Sequence, residues 1–186
     1  MRPTTQILIP PDDAQQNYKE VRYSWPIKGR EVTFCLLPKV EHIPKLNAIT
    51  SAAVVPLIGS ETMVAVSLER GLDIPGGHLE AGDKNIVDTI RREAYEEACI
   101  HLAEPLYLIG IISSDYYGKS PEQTTYMAIA AGRVASMGDF TANFESTGRE
   151  VVLMNEFLTR YNAGSQEIMR EIIKRANTTL SRTSQT

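Results

Sequence analysis

Residues 49–58 read ITSAAVVPLI, apolar at successive positions as well as at alternate ones. A strand turns its side chains to opposite faces in alternation, so a segment apolar on both faces has to be covered on both. Such a strand belongs in the middle of a sheet with helices packed above and below. Gly59, Ser60 and Glu61 follow, and then TMVAVSL at 62–68. The two runs read as a hairpin with a short turn.

The rest of the chain can supply that sheet and its cover. Residues 6–9, 21–25 and 31–37 suit short strands in an opening segment, 1–47. Two further strands are expected near 106–113 and 124–134, and another at 150–154. Ile86, Val87, Ile90, Ala94 and Ala98 recur at helical spacing, which predicts a helix over about 84–100 capped by Asp83 or Asn85. A short helix at 156–161 and a last amphipathic one capped by Ser165 complete the order. The expectation is an α/β (α+β) fold, one mixed sheet with helices on its faces, forming a single domain over 1–177 with a flexible tail at 178–186.

Composition narrows the function. The chain has 186 residues, 42% hydrophobic and 23% charged, with a net charge of −4. Phosphate backbones are normally met by excess Lys and Arg, so no polymeric nucleic acid is expected as partner. A small anion bound through a cation is compatible with that charge. Two cysteines, Cys35 and Cys99, build no disulfide framework and read as small buried hydrophobes. No apolar run of the length needed to span a bilayer occurs, and no signal peptide is evident. A cytoplasmic setting without membrane contact is the expectation, and a homodimer is compatible with it.

The chemistry concentrates in residues 76–100, GGHLEAGDKNIVDTIRREAYEEACI. Glu93, Glu96 and Glu97 are three and four residues apart and share a helix face, where like charges repel. A divalent cation converts that repulsion into ligation, and hard ions such as Mg²⁺ and Mn²⁺ prefer carboxylate oxygens. Pro75, Gly76 and Gly77 sit just ahead, where glycines allow close backbone approach to a ligand.

This segment resembles the Nudix box, whose pattern is Gly, five residues, Glu, seven residues, Arg-Glu, aliphatic, any, Glu-Glu, any, Gly, aliphatic. Gly77 opens it, Arg92-Glu93-Ala94-Tyr95-Glu96-Glu97 matches its centre and Ile100 its end, so the box covers 77–100. There are three departures. Asp83 stands for the first Glu, one additional residue separates it from Arg92 near the first helical turn, and Cys99 replaces the closing Gly.

The resemblance implies a Nudix-like α/β/α sandwich and a Mg²⁺-dependent hydrolase, with Mn²⁺ able to substitute. Its substrate would be a small nucleotide-type phosphoanhydride, a nucleoside diphosphate linked to another moiety. Glu93, Glu96, Glu97 and the Gly77 carbonyl would hold metal. Glu93, positioned by Arg92, would serve as base. Tyr116 and Tyr117 resemble a substrate-binding marker, and Glu145 or Glu150 could supply a further carboxylate. Each of these four also reads as an ordinary surface residue. His78, His42, His101, Glu80 and Glu122 carry no compelling role. The rival reading is a Nudix-fold protein that binds a nucleotide or regulates a partner without hydrolysis. A calcium-binding structural protein fails for want of an EF-hand-like loop.

Overall fold

The computed structural model describes residues 6–27, 29–41, 46–115, 124–142 and 146–183. The strands are β1 (Ile7–Leu8), β2 (Val21–Ile27), β3 (Arg30–Leu36), β4 (Ile49–Leu57), β5 (Thr62–Leu68), β6 (Gly71–Asp73), β7 (Gly76–His78), β8 (Ile100–Leu102), β9 (Leu106–Ser114), β10 (Thr125–Met137) and β11 (Ser146–Leu153). The helices are α1 (Asp12–Gln15), α2 (Ile86–Ala98), α3 (Met154–Arg160) and α4 (Gln166–Thr183).

The sheet runs β11-β5-β4-β10-β9-β3-β2, with β1, β6, β7 and β8 added to β9, β5, β4 and β10. It is mixed: β4 lies parallel to β10 and β1 to β9, while β4 with β5 and β9 with β10 are antiparallel.

The doubly apolar β4 does sit in the middle, and its alternation separates two cores. Ala53, Val55 and Leu57 pack with Phe157 of α3 and with Ile168, Ile172, Ile173 and Ala176 of α4. Ala52 and Val54 pack with Ile86, Val87, Ile90, Ala94 and Ala98 of α2. Each aliphatic side chain buried this way contributes roughly 1.5–3 kcal/mol, which makes the sheet the platform that fixes α2. The result is an α/β/α sandwich.

Several elements differ from the sequence expectation. The helix is Ile86–Ala98, shorter at both ends than 84–100, because the Asn85 side chain accepts hydrogen bonds from the amides of Val87 and Asp88. Asn85, not Asp83, is the cap. At the other end Cys99 adopts a left-handed conformation, φ 50°, and its amide bonds to the carbonyls of Ala94 and Tyr95. This is the position where glycine usually ends a helix. Cys99 is half-buried rather than fully enclosed, whereas Cys35 is buried.

The tail expected at 178–186 is helical as far as Thr183, with Thr179 and Leu180 buried. The cause lies across the molecule. Tyr18 and Thr179 hydroxyls are 2.8 Å apart, and buried Arg175 donates to the Lys19 carbonyl. The opening segment is likewise no loose appendage, since β3 pairs with β9 through Phe34↔Ser114 and Leu36↔Ile112.

Candidate active site

The glycine pair forms β7. Gly76 pairs with Ala53 and Gly77 with Ala52 of β4. Two backbone strands and α2 converge here, and there is no room for side chains. A β-carbon at Gly76 would strike Ala53, and one at Gly77 would strike the Glu93 carboxylate. Gly77 therefore lets Glu93 lie directly against the strand.

Glu93 and Glu97 are both buried, 4% and 3% exposed, which for carboxylates demands strong partners. The Gly76 amide donates to Glu97 Oε2 at 2.8 Å. Arg92 Nη1 donates to Glu93 Oε1 at 2.8 Å and to Glu96 Oε2 at 3.0 Å. Its Nη2 donates to the His78 carbonyl at 2.8 Å and to Asp83 Oδ2 at 3.1 Å. Glu80 Oε1 lies 3.5 Å from Nη1. One guanidinium thus gathers four carboxylates, and these bonds hold it charged against the opposing effect of its burial.

Asp83 is the residue whose role the sequence left undecided. It accepts from Arg92, from the Glu80 amide at 3.0 Å and from Thr89 Oγ1 at 2.9 Å. Burial alone pushes its carboxyl up. The hydrogen bonds from Arg92, Glu80 and Thr89 outweigh that and hold it below the usual carboxylate range. Because α2 is continuous from Ile86 to Ala98, the additional residue between Asp83 and Arg92 is taken up before the helix, in the connection to Asn85, and not in its first turn. The face bearing Glu93 and Glu97 still meets β7.

Arg149 was not singled out in the sequence. Its Nη1 donates to the carbonyls of Ala98 (2.9 Å), Cys99 (3.4 Å) and Gly138 (3.0 Å). A cation at a helix C-terminus meets the unpaired carbonyls and the negative end of the dipole. Nothing in a spacing of some fifty residues signals this.

Glu150 falls on the other side. Arg160 Nη2 donates to its Oε1 at 2.8 Å and Ser67 Oγ at 3.4 Å, so the carboxylate faces α3 while neighbouring Arg149 faces α2. Its carboxyl is held low by Arg160, against the upward effect of burial. The structure does not bring Glu150 together with Glu93, Glu96 and Glu97. Tyr116, Tyr117, Glu122, Glu145 and His42 lie outside the described residues. His78 and His101 are exposed, the latter stacked on Tyr95.

The donor set is carboxylate and carbonyl oxygen, suited to a hard divalent cation. Among the described residues, no group of three or more His, Cys, Asp or Glu side chains is placed to hold a metal ion as the side chains stand. Among those residues, too, no helix is long and apolar enough to cross a membrane.

The NUDIX domain family model matches residues 47–172. No curated protein matches. Among solved structures, a Bacillus subtilis pyrophosphohydrolase is 18% identical with a TM-score of 0.62, over 87% of this chain and 97% of that one. A NUDIX hydrolase from Nitrosomonas europaea is 21% identical, TM-score 0.54, over 68% and 87%. The NUDIX domain of Shewanella oneidensis NrtR, crystallised with ADP ribose, is 9% identical, TM-score 0.55, over 68% and 87%. At these identities the likeness is one of fold.

Proposed function

The chain belongs to the Nudix hydrolase family, and we propose that it is a Mg²⁺- or Mn²⁺-dependent enzyme cleaving a phosphoanhydride bond. The substrate class is a small nucleoside diphosphate linked to another moiety, met in a cytoplasmic setting. The observation that carries this reading is the burial of Glu93 and Glu97 against the Gly76-Gly77 strand, Glu93 where a β-carbon on Gly77 would strike its carboxylate and Glu97 on the Gly76 amide. Burying carboxylates that repel one another at helical spacing is costly without a cationic function. The family match and the pyrophosphohydrolase neighbour support the reaction class, and the neighbour crystallised with ADP ribose supports a small nucleotide-type ligand.

Glu93, Glu96, Glu97 and the Gly77 carbonyl would hold the ion. When bound, it supplies neutralisation of phosphate charge, acidification of a water and a template for in-line attack. Glu93 is the base. A carboxylate that accepts from a guanidinium is favoured in its ionised form, and in that form it can take the proton of the attacking water. In the free protein Arg92 fixes its orientation through the 2.8 Å bond. Water adds to phosphorus, the bridging P–O bond breaks and two phosphate-bearing products leave.

The experiment is incubation with Mg²⁺ and a panel of nucleotide sugars, dinucleotides, dinucleoside polyphosphates, nucleoside triphosphates and capped oligonucleotides, with products identified by chromatography and mass spectrometry. Cleavage of one class that stops with EDTA is expected. Undiminished cleavage in excess EDTA overturns the metal role, and tight binding without turnover of any member supports the non-hydrolytic reading instead.

A further inference from the structure

Arg92 Nη1 makes short contacts to both Glu93 and Glu96, at 2.8 and 3.0 Å. A single positive group bridging two carboxylates does for them what a divalent cation would do, relieving the repulsion between acids three residues apart. The other nitrogen, Nη2, is bound to Asp83 Oδ2 and the His78 carbonyl. Asp83 is itself firmly anchored, to the Glu80 amide and to the hydroxyl of fully buried Thr89. The guanidinium is therefore shared between a fixed acid outside the helix and two helical acids that the proposed function assigns to the ion.

We propose that Arg92 is an internal counter-ion that an incoming divalent cation has to displace from Glu93 and Glu96, and that Asp83 is the positioning residue that receives it. The inference rests on the metal reading of the site. It also gives a physical sense to two departures from the box pattern. The shorter acid and the additional residue occur together, and the Asp83 carboxylate still meets Nη2.

Linkage makes this measurable. A group that holds Arg92 away from Glu93 and Glu96 raises their affinity for a cation, and removing it lowers that affinity by the same factor. The effect must pass through Arg92, so it vanishes when Arg92 is gone. A through-space effect of the Asp83 charge has no such dependence.

The test is Mn²⁺ binding without substrate, followed by electron paramagnetic resonance, for wild type, Asp83→Asn, Arg92→Gln and the double variant, each checked by circular dichroism in EDTA. Asp83→Asn is expected to weaken Mn²⁺ binding at least fivefold in the wild-type background and less than twofold in the Arg92→Gln background. Asp83→Glu should keep binding within about threefold of wild type. An equal loss in both backgrounds, or none in either, overturns the proposal. Arg92→Gln alone carries a second test should Asp83→Asn not fold. It should bind Mn²⁺ at least threefold more tightly than wild type, and unchanged or weaker binding overturns the proposal. Absence of Mn²⁺ binding in both wild type and Arg92→Gln is a different failure, that of the metal reading itself.

Discussion

Glu97 Oε2 accepts a 2.8 Å hydrogen bond from the Gly76 amide, tying the last acid of α2 to a strand that begins ten residues before that helix. Gly77, next in that strand, lies against Glu93. The two buried acids of the helix are thus set by backbone that β4 holds in register. Preorganisation of this kind lets charged groups act without rearranging during the reaction.

The helix end stores strain that a substitution can release. Cys99 sits at φ 50°, a conformation costing an L-residue roughly 1–2 kcal/mol. Glycine relieves that cost but gains freedom in the unfolded chain, worth about 0.4–1 kcal/mol. Cys99→Gly should therefore leave stability equal or raise it by up to about 1 kcal/mol, whereas β-branched Cys99→Val should lower it by at least about 1 kcal/mol. Urea unfolding of the two variants checks the opposite signs.

A second prediction concerns the tie between the opening segment and α4. Arg175 is fully buried, with Nε on Glu171 at 3.1 Å, Nη2 on the Lys19 carbonyl at 2.6 Å and its guanidinium 4.4 Å from the Tyr18 ring centroid. Removing one partner of such a pair typically costs about 3–5 kcal/mol because the other charge is left buried. Arg175→Met should lose about 3 kcal/mol, tempered by the Lys19 amide and Lys174, which also bond Glu171. Replacing Glu171 with Leu in that background should recover part of it. A double variant less stable than Arg175→Met would contradict this reading.

The third prediction is a pH dependence. Asp83 is held below its usual range in the fold, while in the unfolded chain it titrates near the ordinary value of about 3.9. Between the two values the unfolded state binds the extra proton. The stabilisation is thus fully present above about pH 4 and drains away as the pH falls through the folded value. Asp83→Asn should flatten the acid limb of stability against pH below about 4, without altering its shape between pH 6 and 8. An acid limb identical to wild type would show that Asp83 gains nothing from Arg92.

Much of this was legible in the sequence, for physical reasons that also mark where legibility ends. Residues 49–58 showed their two-faced burial directly, and the spacing of Ile86, Ile90 and Ala94 showed α2. The two-glycine β7 has no periodic signal, because its order comes from pairing with β4. Adjacent Arg149 and Glu150 must face opposite sides of their strand. Which one faces α2 depends on register with β5, where Glu150 meets Ala65, and that register is invisible in the chain. The polar end of α4 looked like a frayed tail because its partners, Tyr18 and Lys19, lie far away in sequence.

The most direct test of the central claim compares Glu97→Gln with the control Glu104→Gln. Gln keeps the shape of Glu97 and an oxygen for the Gly76 amide while removing the charge. Glu104 is an exposed acid that meets Arg91 at 3.3 Å, away from β7. The account predicts that Glu97→Gln folds with a melting temperature equal to or above wild type in EDTA, since repulsion along the helix is relieved. Its Mg²⁺-dependent turnover of the identified substrate should fall at least ~10²-fold, the scale of losing one preorganised electrostatic element, while Glu104→Gln keeps wild-type turnover. Equal turnover by the two variants would contradict the account, leaving Glu97 a structural residue of the helix and not part of a catalytic centre.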